Sequence, residues 1–261
     1  MELYDAIGSR RSYRFLQPDK PVEQKKIQKM LEAARLASFW GNVCALRAVV
    51  VDKFTATPEQ KEALFALVQG WQLQRAPVVI VWWLDWQALE EQGDRLKELV
   101  RCRATGVDEE AAIEHLDTQL IPFFEAVRPH IMTTGLTEFD CGQGVAQATL
   151  VAMQEGLGCC CLGTPNEDKI KAALGLPDSG KVIVLQCVGY PAEGKEAGGQ
   201  RPRLPFERMY ALNSSDTPFP RDAKVVEELE ETRMLQTPSP LPDREAELQR
   251  LKKELDLPDD A

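Results

Sequence analysis

Several common chemistries lack their usual residues in this chain. It has two histidines, and its seven cysteines (44, 102, 141, 159, 160, 161 and 187) form no CxxC pair, so no zinc constellation is expected. An odd cysteine count in a chain of this length suits a reducing compartment better than a disulfide scaffold, and a cytoplasmic location is expected. No window approaches 18 uninterrupted apolar residues, so no membrane span is expected. The opening MELYDAIGSRR lacks the basic-then-apolar order of a signal peptide. Neither a GxGxxG nor a Walker A sequence is found, which removes the common dinucleotide and phosphate loops. Basic residues are outnumbered, leaving a net charge of −10. That balance argues against bulk nucleic-acid binding, which needs a basic stripe to neutralise phosphates.

What is present is enough for a core. The chain has 261 residues, 44% of them apolar, which suggests one large domain or one domain with an appendage. ELYDAI reads as a short helix ending near Gly8. VEQKKIQKMLEAARLA places Val22, Ile27, Met30, Leu31, Ala34 and Ala37 at helical spacing. Strands are expected at 47–52, 76–84 and 180–190, and helices at 58–70, 138–155 and 169–176. The 85–135 stretch alternates charged and apolar residues at helical periods, with a break near Gly106. The order implies an α+β fold, a sheet surrounded by helices.

Residues 214–261 differ in character. They hold 13 acidic and 7 basic residues, which is −6 of the total charge, and prolines at 218, 220, 238, 240 and 242 separate helical stretches at 223–233 and 243–255. Too few apolar residues remain for an independent core. This extension either embraces a partner subunit, through Val225, Val226, Leu229 and a Leu248, Leu251, Leu255 stripe, or is a solvated acidic appendage.

Three stretches stand out chemically. GSRRSYRF puts Arg10, Arg11, Ser12 and Arg14 together in an acidic protein. Forked guanidinium donors and a hydroxyl suit phosphate oxygens, although a plain surface cluster has the same composition. ASFWGNVCA (37–45) breaks a helix before a strand, with Asn42 free to hydrogen-bond a polar ring or to sit in an exposed turn. EGLGCCCLGTP (155–165) brings glycines that let backbone approach something flat. GYPAEGKEAGGQRPRLPFE (189–207) returns positive charge at Arg201 and Arg203.

In order, RRSYRF, MLEAARLAS, GN, AVVV, RAPVVIV, DCGQGVAQATLVAMQEGLG, LGLP, VGYP and RPRLPFE resemble the FMN-dependent nitroreductase family over about residues 2–213. The resemblance implies a mostly antiparallel sheet surrounded by helices, in an intertwined homodimer with FMN at its interface and a helical lid around 85–135. It implies that Arg10, Arg11, Ser12 and Arg14 serve the flavin phosphate, ribityl chain and pyrimidine edge, and that Arg201 and Arg203 close on the phosphate. Ser38, Phe39, Trp40 and Asn42 would come from the partner chain against the ring, and backbone from Cys160, Cys161, Leu162 and Gly163 would line it. The implied activity is ping-pong hydride transfer from NAD(P)H through flavin to an electron-poor small organic acceptor such as a nitroaromatic or quinone. The cofactor supplies the reacting atom, so no catalytic side chain and no metal ligand is named.

The chain departs from the family pattern where the partner segment usually carries a small serine and a glutamine: Phe39 and Cys44 stand there. A reshaped pocket is expected. A flavin-binding or interaction protein without NAD(P)H turnover, or a specialised flavin enzyme such as a reductive dehalogenase, is the alternative. Cys159, Cys160 and Cys161 would alternate faces on a strand and so not converge on one metal; buried thiols are expected. His115 and His130 are read as structural or surface residues, and Trp82, Trp83 and Trp86 as core or dimer face.

Overall fold

The computed structural model describes residues 2–66, 70–164 and 166–257. Four strands, β1 (Leu46–Asp52), β2 (Val78–Leu84), β3 (Gly158–Leu162) and β4 (Lys181–Gly189), form one sheet in the order β1-β2-β4-β3. Every neighbouring pair is antiparallel. A bulge between Trp82 and Trp83 shifts the β2–β4 register by one residue.

Both sheet faces are covered, which is why β2 is apolar along its whole length, VVIVWWL. On one face Val78, Ile80, Trp82, Cys159 and Val188 pack under helices α2 (Gln24–Arg35) and α8 (Leu136–Gln154). The expected helical stripe is the buried one, with Ile27, Met30 and Ala34 facing inward. The small residues of α8 allow close approach: a Cβ on Gly144 would sit 2.6 Å from Leu46 Cδ2. One polar chain crosses this layer, with Trp82 Nε1 donating to Gln186 (2.9 Å) and Gln186 Nε2 to Thr149 (2.9 Å), so a fully buried glutamine stays satisfied. On the other face Val51, Val79, Val81, Cys160, Leu185 and Cys187 pack against α3 (Pro58–Leu64), α4 (Trp71–Arg75) and α9 (Glu167–Leu174). Cys159 and Cys160 thus take opposite faces, as strand alternation requires.

The expected helix over 58–70 is shorter, because a capping box at Thr57 starts α3 and the helix ends at Leu64; residues 67–69 lie outside the described residues. A second short helix, α4, has no amphipathic period to announce it. Beyond β2, where a helical lid is expected, come α5 (Gln92–Arg101), α6 (Glu109–His115), a π-turn over Leu116–Leu120 and α7 (Ile121–Ile131). Gly106, at φ +79°, makes the break between α5 and α6. Trp82, Trp83 and Trp86 all pack into hydrophobic clusters, while His115 and His130 are exposed on α6 and α7. Among the described residues no helix is long and apolar enough to cross a membrane.

Candidate cofactor site

The opening helix α1 (Leu3–Ser9) ends where the arginines begin. The chain then turns extended and runs along the exposed edge of β3: Ser12 bridges Cys159, and Tyr13 N donates to Cys159 O at 3.0 Å. This requires Gly158, since a Cβ there would lie 2.7 Å from Tyr13 Cβ. Glu193, after β4, accepts from Arg14 N (2.9 Å) and Phe15 N (3.3 Å). The extended segment is therefore fixed from both sides.

The five arginines of the two motifs, Arg10, Arg11, Arg14, Arg201 and Arg203, gather at this corner in two roles. Arg11 is 2% exposed and saturated from within: it donates to Gly8 O (2.5 Å), Arg10 O (3.1 Å), Glu196 O (3.2 Å) and Gln236 Oε1 (2.8 Å), with the Glu196 carboxylate 3.6 Å away. Its guanidinium braces the corner and faces no open space, which differs from the phosphate role implied for it. Arg10, Arg14, Arg201 and Arg203 are the other kind. Arg14 and Arg203 are exposed and Arg10 and Arg201 half-buried. The bonds of Arg14, Arg201 and Arg203 go only to nearby backbone carbonyls. Among the described residues no carboxylate lies within ion-pair distance of these four. Burial, then the charges of Arg14 and Arg244, lower the pKa of Arg201; Glu193 opposes and Arg203 adds to the lowering. Like charges crowd here without an ion-pair partner among the described residues, in a protein of net charge −10, which is the electrostatics of an anion site.

Beside the arginines, β3 offers its open edge. Arg14 and Glu193 act electrostatically on Cys160, and Arg10 on Cys161, so the expected 160–163 backbone is at the arginine corner. Cys161 and Gly163 are exposed and Leu162 half-buried, and nothing lies within 4 Å of a Cβ placed on Gly163. Burial pushes the thiols of Cys159, Cys160 and Cys187 up, which keeps them protonated.

Ser38, Phe39, Trp40 and Asn42 are elsewhere. They precede β1, the opposite edge strand, and the ladder shows how far away that is. Cys159 pairs with Val188, Val188 with Val78, and Val78 with Asp52, at the end of β1 remote from Leu46. Three strand spacings and six residues separate the two corners, about 14 Å across the sheet and about 20 Å along it. The segment is held by α8, through Trp40 N to Asp140 Oδ2 (2.8 Å) and Gln143 Nε2 to Ser38 O (3.2 Å). Burial raises the pKa of Asp140, against the bond from Trp40. Gly41, Asn42 and Cys44 all have positive φ (56°, 56° and 52°). Glycine and asparagine adopt this region readily, whereas a cysteine there is strained. Nothing in the composition of the segment signals that strain.

The helices between β2 and α8 pack over this second corner. Trp40 meets Phe124 edge-on at 5.3 Å, and Phe123 is 56% exposed beside it. A cavity of about 200 Å³ lies between α5 and α7, lined by Gln92, Gly93, Leu96, Lys97, Ile121 and Phe124 among others. The resemblance implied a helical lid over this block but singled out none of these residues.

The nitroreductase family model matches residues 7–116 and 131–190. The chain belongs to the nitroreductase family. The matched stretches include Arg10 to Arg14, Ser38 to Asn42 and Cys160 to Gly163, and end before Arg201. A Thermus thermophilus relative described as an NADH dehydrogenase is 29% identical over 205 residues, covering 78% of this chain and 92% of the relative. Among solved structures, a nitroreductase-like protein from Streptococcus mutans superposes with a TM-score of 0.65 at 21% identity, over 80% of this chain and 97% of its own. A nitroreductase-type protein from Exiguobacterium sibiricum, solved in complex with FMN, gives 0.60 at 20% identity, over 82% of this chain and 98% of its own. Family membership bears out the α+β nitroreductase-like fold.

Proposed function

We propose that this protein is an FMN-dependent NAD(P)H oxidoreductase acting on an electron-poor small organic acceptor. The observation that carries the reading is the set of four arginines, Arg10, Arg14, Arg201 and Arg203, gathered beside the open edge of β3 with no ion-pair partner among the described residues. That donor set fits the phosphate end of FMN, and the exposed backbone at Cys161 to Gly163 leaves room for a flat ring. Bound FMN supplies hydride transfer between a reduced nicotinamide and the acceptor. Arg14, exposed and carried on the segment that runs along β3, would stabilise negative charge that develops at the ring. Among the described residues of this corner no protonatable side chain is needed as nucleophile or general acid.

A homodimer completes the site in this reading. Ser38 to Asn42 sit at the far corner of their own sheet, so only a second copy brings them to the ring. Two surfaces support the pairing. Leu3 and Ile7 of α1, Leu36 after α2 and Phe139 of α8 are 40–70% exposed. The arm from 202 to 225 is exposed apart from Phe206, yet carries Leu204, Met209, Tyr210, Leu212 and Phe219. Apolar surface of this extent marks an interaction face.

The test is the visible spectrum of the purified protein, repeated anaerobically with NADH or NADPH. Flavin bands that bleach are the expected result. Bands that persist with both nucleotides would refute the NAD(P)H half-reaction. A colourless protein that takes up no added FMN would leave an interaction protein of the same fold.

A further inference from the structure

The acidic extension begins outside the family-matched residues, yet part of it reaches the arginine corner. We propose that residues 233–247 are a strap that positions the phosphate end of the flavin site, with Gln236 and Arg244 as its positioning residues. The inference rests on the FMN reading above and adds a role for a segment which that reading does not use.

Two junctions carry it. At the first, Gln236 Oε1 accepts from the buried Arg11 (2.8 Å), while Gln236 Nε2 donates to Ser9 Oγ (2.9 Å) and to Arg233 O (2.7 Å). Gln236 N donates to Gln200 Oε1 (3.0 Å). The residue before Arg201 is then pinned through both backbone groups: Gln200 N donates to Thr237 O (3.0 Å) and Ser239 N to Gln200 O (2.8 Å). The fit is tight, since a Cβ on Gly8 would lie 2.0 Å from Arg233 O.

At the second junction, Arg244 Nη2 donates to Glu193 Oε2 at 2.8 Å, with the two side chains 11% and 1% exposed. The other oxygen of Glu193 holds the backbone N–H groups of Arg14 and Phe15. One carboxylate thus ties the strap to the backbone that aims Arg14. Glu247 adds a bond from Gly194 N (2.5 Å) and an ion pair with Arg244 (2.7 Å). Further on, helix α12 (Arg244–Glu254) buries Leu251 against Phe15, with Leu255 and Trp71 in the same cluster. Removing Arg244 would strand a buried carboxylate, and the backbone that aims Arg14 would shift with it. Arg14 and Arg201 are therefore both set by the strap, at backbone positions rather than through their own guanidiniums.

The test compares FMN with riboflavin, which differ by the phosphate. Dissociation constants are measured for the wild-type protein, Arg244→Met, Gln236→Ala and the paired Glu193→Gln/Arg244→Met, each checked by far-UV circular dichroism. Arg244→Met should weaken FMN at least tenfold while riboflavin changes less than twofold, and Gln236→Ala should weaken FMN about threefold or more with the same selectivity. The paired variant removes the stranded charge but keeps an acceptor for Arg14 N, so FMN affinity should largely return. Unchanged FMN affinity in both single variants, or equal losses of FMN and riboflavin, would overturn the strap's role. If Arg244→Met fails to fold, Gln236→Ala alone decides, because it leaves the buried ion pair intact. Wild-type protein that binds neither ligand would overturn the flavin reading and the strap with it.

Discussion

The two corners of the sheet are built on opposite principles. The arginine corner at β3 is charged and braced from three directions: by β3 itself, by Glu193 and by the C-terminal extension. The Ser38–Ala45 corner at β1 carries no charged residue of its own and has positive φ at Gly41, Asn42 and Cys44. It is anchored mainly by α8 and roofed by the helices between β2 and α8. Gathered like charges repel, so a preformed anion site needs rigid support. A surface that lies against a flat ring needs shape, and strained backbone can supply it. The comparison teaches that one copy offers electrostatics at one corner and shape at the other, which is the division the proposed dimeric site uses.

The largest effect on this contrast should come from the arginines. Arg201→Ala removes a charge-assisted contact of about 1.5–3 kcal/mol, so FMN should bind about ten- to a hundredfold more weakly by fluorescence titration. The same substitution at Arg11 should instead unfold the corner, because it orphans buried carbonyls; the melting temperature would report that difference. Next come the two close approaches. Gly158→Ala pushes Tyr13 off β3, and Gly144→Ala pushes Leu46 away from α8. Overpacking of this kind costs about 1–3 kcal/mol. Only Gly158→Ala should also lower affinity for FMN phosphate, and equal losses from both would erase the distinction between the corners.

A smaller effect is expected with acid. Bonds from Ser9 and Arg233 hold the Asp5 carboxyl below its ordinary value. Desolvation would raise Glu247, but Gly194 N and Arg244 together hold it below the usual value too. Depressed carboxyls contribute stability that is present above the unfolded pKa, about 4, and is lost as pH falls through the folded values. The protection of amides at 233–247, relative to their intrinsic exchange rates, should therefore be unchanged between pH 7 and 5 and fall below about pH 4. The smallest effect belongs to Cys44→Gly. It relieves the positive φ but loosens the unfolded chain, for a net gain of up to about 1 kcal/mol.

Much of this was legible in the sequence, for physical reasons. β2 and β4 are dense β-branched runs, and α2 has a clean helical stripe, so those elements announce themselves. The arginine motif was legible as an unusual guanidinium cluster in an acidic chain, and its anion-site role was implied by the family resemblance and is part of the proposal above. Its division of labour was not: Arg11 and Arg14 differ only in what folds over them, and Gln236 lies 225 residues from Arg11. The extension offered two readings, a partner embrace or a solvated appendage, and Leu251 and Leu255 fit neither: they pack against Phe15 and Trp71 of their own chain. Leu248 is 37% and Val225 50% exposed, and the partner-wrapping role stays with the exposed arm as part of the dimer proposal. The left-handed backbone at Cys44 left no trace in residue type, since cysteine is a poor choice for that conformation.

Native mass spectrometry of the FMN-loaded protein tests the central claim most directly. If the corners of two copies close on each flavin, FMN should be retained by a particle twice the 29.2 kDa chain mass, with two flavins per particle and none on the monomer. A monomer that holds FMN one-to-one, as tightly as any dimer, would contradict the account.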